Sequence, residues 1–195
     1  MSPQPRLSYD LNEEMLRILA QEFRPAVVVD QFTATLKGSR PGDVEKVAAQ
    51  VFGDFGKRWM KRSLELGEQF PDATYETLKQ IMEKTGTGRF PMVPQRIVEI
   101  AYLGVLSLLY IKVVQNNGQR LAYRIPQCDI YQALTQKGTD VGGVLSPSKE
   151  GRLPCRHACL AALDTLFKEL NMPAKIEMEA QMPQQGFCQF AATRV

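Results

Sequence analysis

"LPCRHACLAALDTLFKELNMPAKIEMEAQMPQQGFCQFAAT", residues 153–193, decides how the rest of this chain is read. It begins with a helical pattern. Pro154 suits a first helical turn, and Cys155, Cys159, Ala162, Leu163, Leu166 and Leu170 fall on one inward face. From Ala174 the period changes to two. Ile176, Met178 and Ala180 share one side, and Lys175, Glu177 and Glu179 share the other, which is the pattern of a half-buried strand. After a turn at Gly186, Cys188, Phe190 and Ala192 form the apolar side of a last strand. A helix followed by two strands joined by a turn predicts an antiparallel sheet with a helix packed on it.

Working outward, "LLYIKVVQNNGQRLAYRI" reads as a hairpin turning at Asn116, Asn117 and Gly118. "QCDIYQALTQKG" reads as a short helix ended by Gly138, and "TDVGGVLSPSKEGR" as a long polar loop. Periodicity leaves Arg96 to Ser107 open between a strand and a buried helix. Upstream, three helices are expected. The first is Leu11 to Phe23, ended by Pro25. The second is Val44 to Leu66, capped by Asp43 and stopped by Gly67. The third begins at Asp72 or Thr74 and closes at Gly86. Gly53 and Gly56 weaken the long helix, and close packing against the sheet or a ligand accounts for them. The expected class is α+β: an N-terminal helical layer, 1–88, packed on an antiparallel sheet with two inserted helices, 89–195, the two making one compact domain.

The chain has 195 residues, a formal charge of +3, four cysteines and a single histidine. That charge is too small to argue for nucleic acid, and the basic run Gly56 to Arg62 is followed by Glu65 and Glu68, as on a solvated helix face. The most apolar run, Ile100 to Ile111, is too short to span a bilayer. The N-terminus lacks the basic and apolar regions of a signal peptide, so a cytoplasmic location is expected. There thiols stay reduced, and clustered cysteines lean toward metals or reactivity.

Cys155 and Cys159 lie one turn apart, about 5–6 Å at Cβ. Cys188 faces the helices from the last strand, and Cys128 begins the short helix. Cys128 and Cys155 stand near helix N-termini, which favour thiolate, the form that zinc and iron–sulfur chemistry needs. Against this, cysteine also packs as an ordinary small hydrophobe. His157 is rotated about 200° from Cys155, onto a polar face with Asp164 and Lys168, so it is not expected to be a ligand. Phe55, Trp59, Tyr102, Tyr110 and Tyr123 are candidates to line a pocket for a small hydrophobic molecule; core packing is the competing reading. No Ser-His-Asp set, phosphate loop or H-E-x-x-H is present.

The residues from Cys155 to Thr193 resemble the C-terminal core of the 4-vinyl reductase domain superfamily, and most of all its L-2-amino-thiazoline-4-carboxylic acid hydrolase-like branch. The shared pattern is a cysteine opening a helix, an acidic strand around Glu177 and Glu179, a turn at Gly186 and a terminal strand with Cys188 and Phe190. Cys128 matches an earlier cysteine of that branch. The chain departs from the pattern at Ala180 to Met182, where the family carries a cysteine, and adds Cys159. The resemblance implies a small-molecule pocket between helices and sheet and a bound metal; the placement of the residues makes Cys128, Cys155, Cys159 and Cys188 the candidate ligands, of zinc or an iron–sulfur cluster. Three functions follow: a ligand-binding metalloprotein, a hydrolase, or an assembly module. The expected partners are a small-molecule ligand and a second copy in a homodimer, without nucleic acid or a membrane span.

Overall fold

The computed structural model describes residues 9–37, 40, 43–86, 89–108, 110–137 and 153–195, with the side chain of Pro183 excepted. Five helices come first: α1 Glu13–Glu22, α2 Pro25–Lys37, α3 Val44–Gln69, α4 Ala73–Thr85 and α5 Met92–Val105. The hairpin β1 Lys112–Asn116 and β2 Arg120–Ile125 follows, then α6 Asp129–Lys137, α7 Arg156–Glu169, β3 Ala174–Ala180, the single turn α8 Met182–Gln185 and β4 Cys188–Arg194. The class is α+β as expected. The polar loop 139–152 and Gly138 lie outside the described residues.

The sheet is antiparallel throughout, in the order β1-β2-β4-β3. Its inner face is the apolar set in the sequence. Leu121, Tyr123 and Ile125 pair with Ala192, Phe190 and Cys188, and Ile176 and Met178 extend the same face across β3. α7 lies against β3, and α3 lies against α7. The long helix α3 therefore covers a helix, not the sheet as the sequence reading supposed. One apolar core runs from Met15 in α1 to Ala192 in β4, so the N-terminal helices and the C-terminal half share it.

Three other sequence expectations are corrected. The first helix ends before Pro25 as expected, at Glu22, but Pro25 also starts a helix, α2, that was not expected: proline lacks only an N–H that a first helical turn leaves unpaired. The valines of α2 are poor helix formers, but Val28, Val29 and Phe32 are buried, and packing against α3 and α6 overrides propensity. Asp43 precedes α3 without a side-chain capping bond; its carboxylate accepts from the Arg40 N–H at 3.3 Å. Gly67 does not stop α3, which continues to Gln69, because it is a contact point: a β-carbon there would meet Ile97 and Ile100 side chains at 3.0 and 3.2 Å. The ambiguous stretch from Arg96 is the helix α5, buried on almost every side, which is why no amphipathic period marks it.

α4 is held at one corner. Asp72 caps it, accepting from the Tyr75 N–H at 2.9 Å, and also pairs with the buried Arg96 at 2.5 Å. Arg96 donates further to the Gly67 and Phe70 carbonyls and lies over the Tyr75 ring. As read from sequence, Gly86 closes α4 in the left-handed region, at φ 67°.

Candidate functional site

Three separate elements bring the four cysteines to one place. Cys128 precedes α6, where its carbonyl accepts the first helical bond from Gln132, and the Ile130 and Tyr131 N–H groups point at its sulfur. Cys155 is the N-cap residue of α7, and Cys159 lies one turn further in. Cys188 opens β4 and sits opposite Ile125. All four are buried free thiols, and all four wall one small apolar cavity of about 10 Å³. Ile125, Ile130, Phe190 and Met178 complete the wall, with Arg156 at its margin.

The position of α7 comes from a glycine. A β-carbon on Gly56 of α3 would stand 2.0 Å from the Ala158 carbonyl oxygen, between the two helix cysteines, so only glycine allows this approach. Gly53, one turn earlier, has nothing within 4 Å of such a carbon. The close-approach reading thus holds for Gly56 and fails for Gly53.

Burial pushes the Cys128 thiol up from 9.0 to about 12, and raises Cys155 and Cys159 well above their ordinary value and Cys188 above its own. For Cys155, charge on Cys128, Cys159 or Cys188 would raise it further. The four cannot ionise together unless a cation joins them. The Tyr102 hydroxyl is hydrogen-bonded to the Cys159 thiol and favours its ionised form. Tyr102 in turn accepts from the Tyr123 hydroxyl at 3.2 Å.

The aromatic candidates occupy two places. Phe55, Trp59, Tyr102 and Tyr123 are buried and touch in sequence, with ring centroids 5.9, 4.9 and 5.5 Å apart; Phe190 continues the row to the cysteine cavity. Trp59 Nε1–H donates to the Ala101 carbonyl at 3.0 Å. Tyr110 is 43% exposed and stands outside this row. His157 faces away from the cavity, with its Nε2 2.8 Å from Glu45, which Arg156 also grips.

Sequence reading missed Arg156, and it named Tyr102 and Tyr123 as pocket candidates without linking them to Cys159. Adjacency to Cys155 was the available signal for Arg156. No local signal links Tyr102, Tyr123 and Cys159, which come from α5, β2 and α7.

The donor set suits a soft or borderline metal in its chemistry, since four thiolates are the ligands of zinc and iron–sulfur sites. In geometry it is not closed: among the described residues no group of three or more His, Cys, Asp and Glu side chains already forms a metal-binding group. A metal would have to draw the sulfurs together. Among the described residues no helix is long and apolar enough to cross a membrane. No family model, curated protein or solved structure matches the chain.

Proposed function

We propose that this chain is a cysteine-ligated metal protein of the α+β class, with one metal ion held among Cys128, Cys155, Cys159 and Cys188. The observation that carries the reading is convergence: all four cysteines of the chain, brought by α6, α7 and β4, border one cavity. Four thiols scattered as core hydrophobes have no reason to meet. The cavity volume of about 10 Å³ is that of roughly one water-sized probe sphere, which favours a single ion over a multi-iron cluster.

When bound, such an ion supplies positive charge that stabilises several thiolates together and, with an open position, Lewis acidity. The residues of the chain do the rest. The thiols release protons on binding, and Tyr102 holds the Cys159 sulfur by its hydroxyl. Ile125, Ile130 and Phe190 keep water out. Because the thiols are shifted upward, uptake should be steeply pH-dependent.

The test is metal analysis and absorption of protein purified without oxygen. A colourless protein with one zinc per chain supports the reading, and Cys155→Ser and Cys188→Ser should each lower that stoichiometry, whereas His157→Ala should not. A brown protein with a broad visible band replaces the single ion by a cluster. A metal-free protein that takes up neither zinc nor cobalt overturns the proposal.

A further inference from the structure

Among the described residues β3 is an edge strand, paired only on its β4 side. The Val195 N–H donates to the Pro173 carbonyl at 3.2 Å, so residue 173 turns its backbone polar groups toward β4. By the alternation of an antiparallel ladder, Lys175 and Glu177 do the same, and Ala174, Ile176 and Met178 turn theirs to the open edge. A cleft of about 600 Å³ runs along that edge. One wall is the strand itself from Ile176 to Gln181; the other is Arg156 and Leu160 of α7 with Gln184 and Gln185 of α8. An added strand lies about 4.8 Å from β3, within this cleft.

We propose that the occupant is β3 of a second copy, antiparallel, about a twofold axis through Ile176. The sequence of the strand selects both occupant and register. With Ile176 opposite Ile176 of the second copy, Ala174 meets Met178 on the inner face. On the outer face Lys175 meets Glu177, twice by symmetry. The register centred on Glu177 sets two carboxylates against each other and is disfavoured. Lys175 and Glu177 are exposed at 67% and 43%, and they are already 2.9 Å apart within one chain, so both are placed to pair across the axis. Glu179 is engaged by Arg120 and Gln189 and is not needed. The result is an isologous dimer with one continuous eight-stranded sheet, twice the four strands of a single chain. This inference does not depend on the metal.

Sedimentation equilibrium of the full chain tests it, with circular dichroism as the check on folding. The parent should sediment as a dimer. Lys175→Glu and Glu177→Lys should each weaken association by about tenfold or more, since two symmetric attractive contacts become repulsive. The doubly swapped chain should recover the dimer. Ile176→Pro should abolish it with the fold intact, because the lost N–H faces the open edge and not β4. The proposal is overturned if the parent stays monomeric at its highest soluble concentration. It is equally overturned if the dimer survives Ile176→Pro, if the single swaps leave association unchanged, or if the double swap fails to restore it.

Discussion

Two groups of polar side chains are buried in this molecule, and they are treated in opposite ways. At the α4 corner, Arg96 and Asp72 are charged, paired and hydrogen-bonded to backbone on every side. Close by, Glu99 accepts from the Tyr9 N–H and the Gln95 side chain, and burial raises its carboxyl above the ordinary value. In the cysteine chamber the one charged residue of the wall among the described residues, Arg156, is engaged by Glu45 and the Leu153 carbonyl, and burial holds the four thiols neutral. The first group completes itself within the chain. The second is stable only protonated, or with a cation from outside. Buried polar groups that satisfy one another read as architecture; ionisable groups gathered without a counter-charge read as a site.

The largest expected effect tests the first half of this contrast. Asp72→Ala leaves the Arg96 guanidinium buried without its partner and removes the α4 cap, and should destabilise the chain by about 3–5 kcal/mol in a denaturant melt. A loss below about 1 kcal/mol would mean that the corner is not closed.

Alkaline titration tests the second half. The folded Cys128 thiol titrates near 12 against 9.0 in the unfolded chain, so its contribution is fully present below pH 9 and is lost as pH rises from 9 toward 12. The other three thiols shift in the same direction. In metal-free protein Cys128 should cost about 1.4 kcal/mol per pH unit in that window. Thermal melts from pH 8 to 11 should fall steeply for the parent and less steeply for Cys128→Ala. Bound metal should flatten the curve. Identical slopes for parent and variant would show that the thiol is not desolvated.

The two glycines of α3 sharpen the same comparison, because Gly56 seats the chamber and Gly53 seats nothing. Gly56→Ala drives a methyl into the Ala158 carbonyl and should destabilise by roughly 1–3 kcal/mol, shifting the helix that carries Cys155 and Cys159. Gly53→Ala meets no atom within 4 Å and should stabilise by about 1 kcal/mol through helix propensity. Thermal melts of both decide the matter. Two variants that melt higher than the parent would remove the argument that glycine positions the chamber.

The sequence by itself determined the elements whose period is imposed by two unlike environments. β3 alternates because one face meets α7 and the other carries Lys175, Glu177 and Glu179 toward solvent. α4 is bounded by an aspartate cap and a left-handed glycine that act within a few residues. The inward placement of Cys155, Cys159 and Cys188 followed from the same local geometry, as did the exclusion of His157. Only the tertiary structure decided the rest. α5 has no readable face because it is buried nearly all round, and α2 is a helix against the propensity of its valines because neighbours cover them. Whether a glycine is a contact or a defect depends on what lies across from it, which is why Gly53 and Gly56 look alike in the sequence and differ in the fold. The hydroxyl of Tyr102 reaches Cys159 through no motif, since the two residues meet only when α5 and α7 are set against one sheet. Local chemistry fixes which way a side chain points along its own element, and packing between distant elements fixes what it meets there.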